Sequence, residues 1–170
     1  MSQVFEEFNY YAAGFRNIKK ERETTLAVPP LKEPFLTRMH PDRLTDFCMG
    51  ALEYVGMSDS DARITSEILV RTDMRGIYTH GTVSLRRYVQ MMRDGGIDVH
   101  AVPEIISEGP AWALMDAHQA VGMVAGHVGM GNAVLKARNT GLGMTTVRRS
   151  NHFGAASAYA LMAADQGLAG

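Results

Sequence analysis

Apolar positions repeat at helical spacing through the first half of the chain and give way to short, turn-bounded apolar runs in the second. Leu44, Phe47, Cys48, Ala51, Leu52 and Val55 form one stripe, with Pro41 placed in a first turn and Gly56 placed to cap the end. Ser58, with Asp61 three residues on, predicts a capping box opening a second helix, whose inner face holds Ile64, Ile68, Leu69 and Thr72. Leu85, Tyr88, Val89 and Met92 mark a third helix, closed by Gly95 and Gly96. Ala111 to Asp116 (AWALMD) reads as a short strand, and HQAVG after it as a turn. Val121 to Arg138 predicts a helix with Val124, Val128 and Leu135 on one side, stopped by Gly141. LGMTTVR is then a strand, and SNHFG leads into a small-residue helix that ends at Gly167.

Helices come first and strands interleaved with helices follow. A doubly wound sheet would alternate more regularly, so the expected class is α+β with a helical N-terminal domain. Three segments are expected. Residues 1–36 read as an extension or arm, with Phe5, Phe8, Tyr11, Ala12 and Phe15 at helical spacing before a polar stretch and Pro29, Pro30 and Pro34. Residues 37–98 form the helical domain, and residues 99–170 the first part of a truncated second domain.

Composition narrows the function. Seventeen basic and eighteen acidic residues leave a formal net charge of −1, so no global field draws the chain to nucleic acid or to an anionic membrane. No apolar run is long enough to span a bilayer, and the N-terminus lacks the apolar core of a secretory signal. A single cysteine, Cys48, excludes an internal disulfide and a cysteine-cluster metal site, and its mid-stripe position makes it a core residue. These features suit a cytoplasmic protein. Twelve methionines serve as core filling or as a subunit contact.

Of six histidines, His40, His100 and His118 fall in linkers or turns and are expected in solvent, while His127 is expected to pack within a helix. No HExxH pattern is present, so a zinc site has no support and no metal is expected. His80 lies in the polar stretch TDMRGIYTHGTVS between Thr79, whose hydroxyl can set an imidazole tautomer or relay a proton, and Gly81, which admits a close neighbour. It is either a general acid–base group or a loop histidine that bonds only backbone. His152 stands at the strand-to-helix junction Ser150–Ala156. There, unpaired N–H groups at a helix start could hold an anion, or the small residues Gly154, Ala155 and Ala156 could simply allow close packing. The glycine-rich GHVGMGNA (126–133) falls inside a predicted helix, which argues against a dinucleotide loop. No GxSxG elbow supports a serine hydrolase.

Two separated stretches, RTDMRGIYTHGTVSLRRYVQMMRDGGID and LGMTTVRRSNHFGAASAYALMAADQGLAG, resemble the malate/L-lactate dehydrogenase family with a non-Rossmann NAD(P) fold, from about Met39 to Gly170. The resemblance implies hydride transfer between NAD or NADP and C2 of a small 2-oxo or 2-hydroxy acid, in a homodimer that binds neither nucleic acid nor membrane. It implies that His80, in the position of the family's Ser-His-Gly histidine, exchanges a proton with substrate, with Thr79 keeping the adjacent hydroxyl. His152 matches the Asn-His-Phe-Gly histidine, which implies a catalytic place lining both the cofactor and the substrate site, and His152, Phe153, Gly154, Ala155 and Ala156 would touch the cofactor while Asn151 shapes the turn. Several relatives carry a carboxylate-binding arginine four residues after the motif histidine; here that position is Ser84, and Arg86 is the expected substitute, with Arg87 a solvated alternative. Family members are about twice as long, so the chain is expected to be a fragment or a truncated product. The competing expectation is a non-catalytic remnant that only mediates subunit association.

Overall fold

A computed structural model describes residues 38–170, and the helix expected around Phe5–Phe15 lies outside the described residues. Helix α1 (Pro41–Glu53) begins at the proline whose missing N–H leaves no helical bond unmade, and it buries Cys48, Met49, Ala51 and Leu52. Gly56 then takes a positive φ of 95° and donates its amide to the Glu53 carbonyl at 2.9 Å. Cys48 is fully buried, and its thiol is pushed up to about 12 by that burial and by the negative charge of Asp73. It is an unreactive packing residue, as its place in the stripe implies.

Helix α2 (Asp59–Met74) opens on the expected cap, with Ser58 Oγ accepting from the Asp61 amide at 3.2 Å. Its inner face holds Ala62, Ile68, Leu69 and Val70 together with Thr65, Ser66 and Thr72. Thr72 is tolerated there because its hydroxyl donates to the Ile68 carbonyl at 2.6 Å. Two short 3-10 turns follow, Tyr78–His80 and Thr82–Ser84, and then helix α3 (Leu85–Arg93), which buries Leu85, Tyr88 and Met92.

The sheet has three strands, β1 (Glu104–Glu108), β2 (Trp112–Asp116) and β3 (Met144–Arg148), in the order β1-β2-β3. β1 and β2 are antiparallel, whereas β2 and β3 are parallel and joined by helix α4 (Gly122–Thr140), which lies across both. The register sets Trp112 opposite Met144 and Asp116 opposite Arg148, so both strands end together. Met115, Ala117 and Ala125 form the buried centre, with Ile105 and Val147 packed on it. Helix α5 (Ser157–Ala164) and α2 both pack on α4. Residues 44–170 make one compact unit, and the class is α+β with a mixed sheet.

Three details depart from the sequence pattern. β1 carries no clear strand signal, because EIISE sets two isoleucines side by side and its pairing with β2 shifts register between Ile105 and Ser107. His118 is not simply solvated: its ring lies 3.5 Å from both Glu104 and Asp116. Of the face expected on α4, Val124 is buried, but Val128 is 39% and Leu135 62% exposed. The inward face joins Val124 to Met123 and to the small residues Gly122, Ala125, Gly129 and Ala133. At Gly122 a side chain is excluded because the neighbouring backbone comes too close. Gly122 lies directly beneath the carbonyls of Asn151 and His152, where any β-carbon would overlap both. Gly131, on the same helix, has nothing within 4 Å of that position.

Two alanine substitutions should therefore act in opposite directions. Gly122→Ala is expected to lower the unfolding free energy by about 1–3 kcal/mol through overpacking. Gly131→Ala should raise it by about 0.5–1 kcal/mol through helix propensity. Urea titrations of both variants check this, and equal effects would show that the close approach at Gly122 does not govern packing.

Candidate active site

The segment after His80 is held by the carboxylate of Asp73, the penultimate residue of α2. Asp73 Oδ2 accepts from the Thr82 amide at 3.0 Å and from the Thr82 hydroxyl at 2.5 Å. Gly81 sits directly on that carboxylate, and a side chain there would collide with it. The close neighbour that the glycine admits is therefore a carboxylate from the end of α2. This bracket ties the second 3-10 turn to α2, and His80 lies half-buried at the junction of the two turns. Thr79 Oγ1 lies 2.9 Å from His80 Nδ1, where a hydroxyl can donate or accept.

The loop from Arg149 to Ala156 carries His152 and is clamped from beneath. The Asn151 side-chain amide donates to the carbonyls of Gln119 at 2.9 Å and Ala120 at 3.2 Å, so Asn151 does shape this turn. The Gly154 N–H donates to His152 Nδ1 at 3.2 Å. A backbone amide can only donate, so Nδ1 holds a lone pair and the neutral ring carries its proton on Nε2. The Tyr88 hydroxyl donates to the same Nδ1 at 2.7 Å. Desolvation first, and then the charges of His80 and Arg87, hold the His152 pKa below its ordinary value of 6.5.

These two loops meet. The rings of His80 and His152 stack with centroids 5.6 Å apart and an angle of 29° between planes. Two histidines separated by 72 positions in the chain thus share one site. Tyr88 completes it, with its ring centroid 6.1 Å from that of His152. Burial raises the phenol pKa, and the Arg87 charge only partly opposes this, so the hydroxyl stays protonated and donates.

The sequence pattern places Tyr88 on a core stripe and misses this role. Its one signal is general: a buried tyrosine hydroxyl needs a polar partner. Arg87 is the basic residue whose charge acts on both Tyr88 and His152. Arg86 and Arg87 are both exposed.

Of the residues expected to face a cofactor, His152, Phe153 and Ala156 are exposed, while Gly154 and Ala155 are buried. Gly154 has a φ of 79° and packs against Ile68 and Met123. For these two small residues, close packing is what the structure shows. The loop also does not place His152 on the start of α5, which begins five residues later at Ser157. Phe153 stacks on Tyr159 with centroids 5.3 Å apart, and the Tyr159 hydroxyl donates to the Phe153 carbonyl. On this side lies a mostly apolar cavity of about 510 Å³ with walls from α4, β3 and α5. It reaches Asn151 and Phe153 on either side of His152 without including either histidine of the pair. Among the described residues no group of three or more His, Cys, Asp or Glu could hold a metal ion.

Residues 39–170 match the malate/L-lactate dehydrogenase family. A malate dehydrogenase of Pyrococcus abyssi is 44% identical over 133 residues, covering 78% of this chain and 37% of that protein. An L-sulfolactate dehydrogenase of Methanocaldococcus jannaschii is 31% identical over 132 residues, 78% of this chain and 38% of that protein. The solved malate dehydrogenase of Pyrococcus horikoshii superimposes with a TM-score of 0.75 at 41% identity, over 77% of this chain and 38% of that one. The chain thus spans little more than a third of the length of these relatives, over the stretch that holds both histidine loops. The sequence motifs, the fold and the matched residues agree, and the chain belongs to the malate/L-lactate dehydrogenase family.

Proposed function

We propose that this chain carries the proton-handling side of a nicotinamide-dependent dehydrogenase site, acting on a small 2-oxo or 2-hydroxy acid with NAD or NADP. The observation that supports the reading is the stacked His80–His152 pair, with a hydroxyl on each Nδ1, in a chain of a dehydrogenase family. In this reading His80 exchanges a proton with the substrate oxygen at C2, and Thr79 sets its tautomer or relays that proton. His152 stays neutral and offers its Nε2–H to the same oxygen, with Tyr88 holding the ring in place. A positive group is needed for the substrate carboxylate, and Arg87 takes that role in place of the expected Arg86.

The residues present suit a nicotinamide group. The exposed Phe153 ring gives a flat apolar face, and the adjoining cavity falls within the usual size of ligand sites. Bound there, the cofactor would supply or accept the hydride. The chain's own part is to orient the acid and move one proton. A second reading is favoured by exposed apolar side chains such as Trp112, Leu142 and Met144: the chain is then a non-catalytic module that only mediates subunit association. NADH and NADPH fluorescence titrations, a turnover assay with malate and related 2-hydroxy acids, and sedimentation separate the two. Association without cofactor binding or turnover favours the second.

Three outcomes follow from the first reading. His80→Ala should lower turnover by roughly 10²–10⁴-fold, with cofactor affinity changed only a few-fold; unchanged turnover would remove His80 from the chemistry. Arg87→Ala should raise KM for the acid about tenfold or more while Arg86→Ala changes it little, and the reverse order in steady-state kinetics would restore Arg86. The third concerns pH. Because the folded His152 pKa lies below the unfolded value, the folded state binds fewer protons between the two values, and stability falls as pH drops through that window. An NMR titration of the imidazole should show a midpoint below 6.5. Tyr88→Phe, by removing a donor to the neutral ring, should move it upward, and a downward move contradicts the assigned hydrogen bond.

A further inference from the structure

The turn after β2 and the loop after β3 are joined by a carboxylate that the proton chemistry does not use. Asp116 ends β2 and is 1% exposed. Its Oδ1 accepts from Arg149 Nε at 2.7 Å and from the His118 amide at 2.9 Å, and its Oδ2 accepts from Arg148 Nε at 2.8 Å. A buried carboxylate must be paired, and two guanidinium groups and an amide do that. They hold its carboxyl far below the usual carboxylate range, with Arg149 the leading cause.

The two arginines are not equivalent. Arg148 is the last residue of β3, and its backbone is already set by pairing opposite Asp116. Arg149 lies just beyond the strand with a φ of 51°, left-handed backbone that a residue with a side chain adopts only when held there. Its guanidinium reaches Asp116 and the His118 ring, and its carbonyl accepts from the Gln119 amide at 2.8 Å. Asn151, two residues on, is bonded to the carbonyls of Gln119 and Ala120. His152 is the next residue. The reversal at Arg149 therefore directs the chain back over the 117–120 turn, toward the side where Tyr88 and His80 wait.

We infer that Arg149, anchored on Asp116, is a positioning residue for His152: it fixes the backbone reversal that delivers the imidazole to Tyr88 and His80. This rests on the proposed role of the histidine pair for its purpose, but the geometric claim is testable without turnover. The groups facing the His152 ring are the Tyr88 hydroxyl, the Gly154 amide, His80 and the charge of Arg87, and none of them belongs to the tether. A change at Arg149 can reach the ring only by moving the loop.

The experiment uses the full chain labelled with 15N-histidine, observed by long-range imidazole NMR. In the wild type, His152 should show the Nε2–H tautomer and a titration midpoint below 6.5. Arg149→Asn keeps a residue that tolerates left-handed backbone but loses the guanidinium. It should shift His152 toward a mixture of tautomers and raise its midpoint by roughly 0.5, while thermal unfolding stays cooperative. Arg148→Gln removes the other arginine from the same carboxylate and should leave His152 unmoved. A His152 signal in Arg149→Asn that matches the wild type overturns the inference. So does an equal shift in Arg148→Gln, because the effect would then be loss of charge on Asp116 and not placement of the loop. If Arg149→Asn does not fold, Arg149→Lys, which keeps the charge but not the forked geometry, is judged by the same two signals. Failure of the wild type to bind NADH or NADPH would refute the proposed function and leave this result intact.

Discussion

The hydrogen bond from the Tyr88 hydroxyl to Nδ1 of His152 is the contact on which the site depends. At 2.7 Å it joins helix α3 to the loop after β3, two segments 64 residues apart in sequence. It fixes the ring, and with the Gly154 amide it settles which nitrogen carries the proton. His152 is an exposed side chain on a loop, and without this bond it would be free to leave His80. A single phenol thus converts two loop histidines into a stacked pair with a defined tautomer on one side.

Carboxylates do the comparable work at the backbone level. Asp73 gathers the Thr82 amide and hydroxyl beneath Gly81, and Asp116 gathers the His118 amide with two arginines. Each stands where an element ends, and each bonds to a segment beside a histidine. The strength comes from partial or full burial, where a charged acceptor with several donors holds geometry better than neutral groups do. The hydrogen bonds of both carboxylates go to backbone amides, a hydroxyl and arginines, so the negative charge organises the loops without pairing with His80 or His152.

Close backbone packing supplies the remaining constraint. The His152 loop can lie on the start of α4 because Gly122 has no side chain, and α5 can lie on the same helix because Gly126 leaves space for the Tyr159 ring. Gly126 and Gly129 of GHVGMGNA therefore serve packing, in keeping with their position inside a helix, whereas Gly131 faces open space. Val128 and Leu135 lie on the outer surface of α4 while Val124 is buried, so the packed face only partly follows the one that hydrophobicity alone suggests.

Much of this was legible in the chain itself. Helices α1 and α2, their caps at Ser58 and Gly56, the burial of Cys48 and the strand Trp112–Asp116 follow from local rules, because each is decided by residues within a few positions of one another. The motifs around His80 and His152 were likewise enough to mark both histidines and to suggest the family. Local rules could not assign Tyr88 to His152, reveal β1, or complete the inner face of α4. Each of those is settled by a partner distant in sequence: a ring 64 residues away, a neighbouring strand with an irregular register, or a carbonyl pressed against a glycine. Periodicity identifies which side of an element is apolar, but only the packed chain sets how near the next backbone comes and which polar atom waits there.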